Sequence, residues 1–180
     1  MFVDQVSNNM KAIVVFESFW GNTAAIARAI AEGIGPGAYA LTTSAATTEV
    51  IANADLIVAG APLIAFSLPT DASRRNIAAS SGLNAPTPDV SHPSMRMWLA
   101  GLSQTHARSA AFETRIWWSP GSAAATIGSG LMRSGCQQVC KPQRFIVTGK
   151  YGPLRAGELE RAHRWGVELA HSVERASAVI

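Results

Sequence analysis

The chain has 180 residues, 48% of them hydrophobic, with a formal charge of +3 and a pI near 9.2. That length suits one well-buried domain and is short for two. The positive charge is mostly arginine spread without a dense basic run, which argues against a nucleic-acid stripe, and no segment approaches the ~18 consecutive apolar residues of a membrane span.

Residues 1–9 (MFVDQVSNN) lack the basic start and apolar centre of a signal peptide. They read as a disordered extension before Met10, and a cytoplasmic location is expected. Ala12 to Phe16 (AIVVF) is an unbroken apolar run, the pattern of a strand buried on both faces. Glu17-Ser18-Phe19-Trp20-Gly21-Asn22-Thr23 follows, and from Thr23 the period turns helical, with Ile26, Ile30 and Ile34 on one face. Strand, hydroxyl-and-glycine turn and helix start together make an anion site. The first turn of a helix leaves N–H groups unpaired, and its dipole favours negative charge there.

Gly35-Pro36-Gly37 ends that helix, and Ala38 to Thr43 is a weaker strand suited to a sheet edge. A short helical turn over 47–54 precedes a second buried strand, Asp55 to Pro62 (DLIVAGAP). Leu63 to Thr70 is an apolar loop bracketed by Pro62 and Pro69, and such a loop needs something to cover it. Asp71 to Ala79 reads as a helix capped by Thr70 or Asp71. Ser80 to Pro93 is a Gly/Pro/Ser/Asp-rich excursion, and Ser94 to Leu102 is helical.

Ser109 to Ile116 (SAAFETRI) is the fourth strand, and Trp117-Trp118-Ser119-Pro120-Gly121 is a loop before a helix over 122–134. Cys136 to Thr148 holds the fifth strand, interrupted near Lys141-Pro142, with Arg144 to Thr148 its stronger half. If Cys136 and Cys140 share one strand, their Cα atoms stand ~13 Å apart at ~3.3 Å per residue, too far for a disulfide. No histidine pair supplies zinc-ligand spacing beside them. Gly149 to Gly157 is a loop, and Glu158 to Ala176 is a closing amphipathic helix with Leu159, Ala162, Trp165, Leu169 and Val173 on its core stripe.

Strands and helices alternate five times, which is the pattern of a doubly wound parallel α/β domain over 10–176. Ligands of such sheets bind outside the carboxyl ends of the strands. The loops 17–23, 62–70 and 113–121 all follow strands at that edge. One offers phosphate donors and the others apolar and aromatic surface, so a phosphate joined to a flat, mostly apolar group matches all three.

The loop Ser18 to Thr23 resembles the hydroxyl-x-x-Gly-x-Thr loop of the flavodoxin family. The pieces Pro62 to Pro69, Phe112 to Arg115, and Val147-Thr148-Gly149 through Gly152-Pro153-Leu154 with Gly157 to Glu160 resemble a flavodoxin-like group common in actinobacteria. The resemblance covers about residues 10–172. It implies a five-stranded parallel sheet in the order 2-1-3-4-5, non-covalently bound FMN and electron transfer. By position, Ser18, Asn22 and Thr23 donate side-chain hydrogen bonds to the phosphate, and the backbone from Phe19 through Trp20 and Gly21 to Thr23 completes the cradle. Pro62, Leu63, Ile64, Ala65 and Phe66 lie against one side of the isoalloxazine. Thr114, Arg115 and the segment to Gly121 frame the other, with Trp117 or Trp118 stacking on the ring.

This chain departs from that pattern at Leu63-Ile64, where related sequences commonly carry Thr-His, and in its basic charge, where electron-carrier flavodoxins are usually acidic. No lysine enters the phosphate loop, which leaves the work there to neutral donors and the helix dipole. Trp117 and Trp118 have the alternative of packing on the 80–93 excursion or a partner chain. Glu113 and Arg115 read as a surface pair, His163 and His171 as solvated, and His92 and His106 have no evident nucleophile partner. The expected partners are a redox protein or a small-molecule reductant. The other functions open to the fold are an FMN-dependent NAD(P)H:quinone oxidoreductase and an interaction module that has lost its cofactor, for which a second copy of the chain is a candidate cover. A P-loop, a G-x-G-x-x-G turn and a cysteine nucleophile after the first strand are all absent, which removes NTPase, Rossmann and low-molecular-weight phosphatase readings.

Overall fold

The computed structural model describes residues 10–80, 82 and 84–177, so the expected disordered extension at 1–9 lies outside the described residues. Its elements run β1 (Ala12–Phe16), α1 (Asn22–Ile34), β2 (Ala38–Thr42), α2 (Thr48–Ile51), β3 (Leu56–Pro62), α3 (Asp71–Ala79), α4 (Met95–Ala100), β4 (Arg108–Ile116), α5 (Ala123–Arg133), β5 (Gln137–Gln138), β6 (Gln143–Val147) and α6 (Glu158–Ser177). The sheet is parallel throughout in the order β2-β1-β3-β4-β5, with β6 also paired to β4.

The order is the one expected, but the fifth position is divided, which makes six strands rather than five. β5 pairs with the start of β4, at Arg108 and Ser109, and β6 pairs with its end, from Phe112 to Ile116. Lys141-Pro142 falls between the two, where a proline lacks the N–H that a ladder needs. Cys136 and Cys140 lie outside both short strands and are free thiols, the first buried and the second partly so.

The apolar run of β1 is divided by the pleat, since alternate side chains point to opposite faces. Ala12, Val14 and Phe16 face one core with Leu56, Val58, Phe112 and Phe145, closed by α1 and α6. Ile13 and Val15 face the other with Ile57, Ala59 and Ala61, closed by α2, α4 and α5. Both faces being covered explains why β1 and β3 read as continuous hydrophobic runs. On the first face Phe112, Phe145 and Trp165 meet with ring centroids 6.0–6.4 Å apart, joining β4, β6 and α6.

The register brings the carboxyl ends together. Phe16 is level with Gly60, Pro62 with Thr114, and Ile116 with Val147. The loops leaving β1, β3, β4 and β6 therefore share one edge.

Candidate functional site

At the end of β1 the chain turns with Glu17 pointing inward. Its carboxylate is 4% exposed, accepts the Met95 N–H at 2.9 Å and pairs with Arg74. Burial pushes this carboxyl above its ordinary value of 4.5, although the Met95 N–H and the Arg74 guanidinium both pull it down. Ser18 Oγ then accepts the Gly21 N–H at 3.1 Å. Gly21 is the N-cap of α1 in the left-handed region, at φ 89°, and no side chain caps this helix. By contrast α2, α3, α4 and α5 are capped by Thr47, Thr70, Ser94 and Ser122, each accepting a first-turn N–H. The N–H groups at the start of α1 are thus left to another partner.

That helix start opens into a cleft of about 240 Å³. Of the residues singled out from sequence, Ser18, Phe19, Trp20, Asn22, Thr23, Pro62, Leu63, Ile64, Ala65, Thr114 and Arg115 line it. Gly21, Phe66, Trp117, Trp118 and Gly121 do not. Trp117 and Trp118 are 74% and 62% exposed at the tip of a turn closed by the Ser119 N–H on the Ile116 carbonyl, while Ile116 and Ser119 face the cleft. The aromatic side chains lining the cleft are Phe19 and Trp20.

The loops are fastened to one another. Thr23 Oγ1 and Thr114 Oγ1 share a buried hydrogen bond of 2.7 Å, and the Leu63 N–H donates to the Thr114 carbonyl at 2.9 Å. Ile64 and Ser67 exchange backbone hydrogen bonds around Ala65 and Phe66, both at positive φ, 47° and 67°. Gly121, at φ 86°, lies so close to this turn that a Cβ there would run into the Phe66 carbonyl. Only the end of the apolar loop is covered from within the chain, since Leu63, Ile64 and Ala65 line the cleft and Phe66 is exposed. Leu68 is fully buried, and Arg96 donates to the Leu68 and Pro69 carbonyls at 2.7 and 3.0 Å.

Glu113 and Arg115 correct the surface-pair expectation. Glu113 is fully buried and Arg115 only 5% exposed. The Arg115 guanidinium donates to Glu113 at 2.8 Å and to the Gly121 carbonyl at 3.0 Å. The other Glu113 oxygen accepts Ser122 Oγ at 3.0 Å and the Ala124 N–H at 2.8 Å. The carboxylate therefore sits at the start of α5, where the helix dipole favours negative charge. It fixes the 117–121 loop from below the cleft.

No family model matches the sequence, and no curated protein does. Solved structures do match. A flavodoxin from the domain Archaea superposes with a TM-score of 0.65 at 21% identity, covering 92% of this chain and 99% of that one. Flavodoxin 1 from Bacillus cereus gives 0.61 at 17% identity, over 89% and 97%. The flavodiiron core from Synechocystis gives 0.62 at 18% identity, over 96% of this chain but 38% of that longer one. The chain has the flavodoxin-like fold.

In this flavodoxin-like structure the cleft has a wall that the three-loop reading missed. Val147, Gly149 and Lys150, from the end of β6 and the loop after it, line it alongside Ile116 and Ser119. The signal was available, because that loop also leaves the carboxyl edge of a strand. It folds back on the loop after β1. Asn22 Nδ2 donates to the Tyr151 carbonyl at 3.1 Å, and the Trp20 and Tyr151 rings meet edge-on with centroids 4.9 Å apart. A Cβ at Gly152 would stand 2.6 Å from the Asn22 side chain.

The 80–93 excursion closes the other side. The Asp89 N–H donates to the Phe19 carbonyl at 2.8 Å, Trp20 Nε1 to the Pro86 carbonyl at 3.3 Å, and Arg74 to the His92 carbonyl at 2.6 Å. His92 does have a hydroxyl neighbour. Ser44 Oγ lies 2.7 Å from Nδ1, with Asp89 3.4 Å from Nε2. The three are outside the cleft and tie the excursion to the end of β2. His163 and His171 are exposed on α6. Among the described residues no helix is long and apolar enough to cross a membrane.

Proposed function

We propose that the chain is a flavodoxin-type redox protein that holds FMN non-covalently in this cleft. The observation that carries the reading is the uncapped first turn of α1 opening into a cleft whose facing wall is apolar. The residues present fit the group. Ser18 Oγ accepts from Gly21, so its own proton is uncommitted. Asn22 uses one of two amide hydrogens on Tyr151. In the Thr23–Thr114 pair one hydroxyl donates to the other, which leaves a second proton for a ligand. Pro62, Leu63, Ile64 and Ala65 offer a flat ring a mostly apolar surface, with Thr114 and Ile116 also lining the cleft.

FMN, when bound, supplies the electron-transfer chemistry, and the protein binds, orients and partly shields it. A cleft of about 240 Å³ is below the ~300–1,000 Å³ typical of sites that engulf a drug-sized ligand. A flat ligand in it keeps an edge in solvent, as exchange of electrons with a partner protein or a small-molecule reductant requires. Phe66, Trp117 and Trp118, neighbours in sequence of the lining residues Ala65, Ile116 and Ser119, are exposed.

The test is reconstitution. Protein incubated with excess FMN and passed through a desalting column is expected to carry visible flavin absorbance at one equivalent per chain. Elution free of flavin, with FMN entirely in the salt fractions, overturns the reading.

A further inference from the structure

We infer that Lys150 is the cation of the phosphate subsite, recruited from the loop after β6 because the loop after β1 has none. The inference rests on the reading of the cleft as a flavin-phosphate site, and its ligand class is a phosphate monoester dianion. Two cationic side chains line the cleft, Arg115 and Lys150. Arg115 is paired with Glu113 at 2.8 Å, which Arg144, a residue that does not line the cleft, also approaches at 3.7 Å, and it holds the Gly121 carbonyl with the same nitrogen. Lys150 pairs with no carboxylate among the described residues. Its ammonium stands 5.2 Å from the centroid of the Tyr151 ring. The uncompensated charge of the cleft is therefore its own.

Lys150 is exposed, but the backbone that carries it is held. The Thr148 N–H donates to the Pro153 carbonyl at 2.9 Å and the Gly152 N–H to the Gly149 carbonyl at 3.1 Å, and Tyr151 is fastened to Asn22 and Trp20. The same segment that delivers the ammonium thus touches the residues expected to hold the phosphate. A lysine acts there as a mobile point charge, which suits a dianion approached from solvent.

The experiment compares wild type, Lys150→Gln and Lys150→Arg in equilibrium titrations with FMN, riboflavin and inorganic phosphate at two salt concentrations. Lys150→Gln is expected to weaken FMN about tenfold, the size of one partly screened charge pair at contact. Riboflavin, which lacks the phosphate, should change by less than about twofold, Lys150→Arg should restore FMN affinity, and the salt dependence of FMN binding should flatten in Lys150→Gln. Equal FMN affinity in wild type and Lys150→Gln, or an equal loss of FMN and riboflavin, overturns the inference while leaving the flavin reading standing. If wild type takes up neither flavin, the functional reading fails and the phosphate titration decides. Phosphate bound by wild type and lost in Lys150→Gln then supports the subsite, and phosphate bound equally or by neither overturns it.

Discussion

Replacing Glu113 with alanine tests the buried pair beneath the cleft. The substitution removes the acceptor of Arg115 at 2.8 Å, Ser122 Oγ at 3.0 Å and the Ala124 N–H at 2.8 Å. The Gly121 carbonyl remains for a guanidinium that is 5% exposed. Breaking a buried pair by deleting one partner costs about 3–5 kcal/mol, chiefly because the surviving charge is left without compensation. Loss of the negative charge at the start of α5 acts in the same direction. Against a total stability of ~5–15 kcal/mol, the loss is a large fraction of what holds the domain folded. In urea unfolding followed by tryptophan fluorescence, the midpoint should fall by about 1 M or more at unchanged slope. The double variant Glu113→Leu/Arg115→Met removes both charges and should recover part of the loss, while Ser122 Oγ and the Ala124 N–H stay without their acceptor. A Glu113→Ala cost below about 1 kcal/mol, or a double variant no more stable than the single one, would refute the assignment of the pair as a buried, mutually dependent unit.

Glu17 yields a pH prediction of definite sign. Its carboxyl is raised above 4.5 in the folded chain, so the folded state keeps the proton to higher pH than the unfolded state. Its stabilising contribution is full below 4.5 and declines as pH rises through the folded value, so the urea midpoint of wild type relative to Glu17→Gln should fall over that window; a difference that grows with pH would mean that the Arg74 pair outweighs burial. The turn at Ala65 and Phe66 holds two non-glycine residues at positive φ, so Ala65→Asn/Phe66→Gly should stabilise by about 1 kcal/mol, read as a higher urea midpoint. An unchanged or lower midpoint would contradict the strain. Gly121→Ala should cost about 2 kcal/mol or more, since its Cβ meets the Phe66 carbonyl and its φ is unfavourable for alanine; thermal melting reads the loss.

Much of the layer structure was legible because burial leaves a local mark. The unbroken apolar runs of β1 and β3 announce strands covered on both faces, and Thr70 announces a helix start that the structure caps as expected. The strand order was not a matter of periodicity and came through the resemblance. Charged pairs were misread where their fate depends on distant partners. Glu113 and Arg115 look like a surface pair until Ser122, Ala124 and Gly121 satisfy them inside. Trp117-Trp118 suggested a stacking surface, but a tight turn between Ile116 and Ser119 carries both rings out of the cleft. Lys150 lay in a segment whose resemblance was evident, but its place beside the cleft follows from the 149–153 loop folding back onto Asn22 and Trp20 across more than a hundred residues of sequence. The uncapped start of α1 is built from neighbours in the chain and could be read there, whereas the walls of the cleft are built from contacts between loops.

The most direct test of the central claim is a fluorescence titration of FMN with the full chain, run in parallel with riboflavin. Saturable, one-to-one binding of FMN is expected, with riboflavin at least about tenfold weaker because it leaves the α1 cradle empty. No saturable change in FMN fluorescence, or equal affinity for the two flavins, would contradict it.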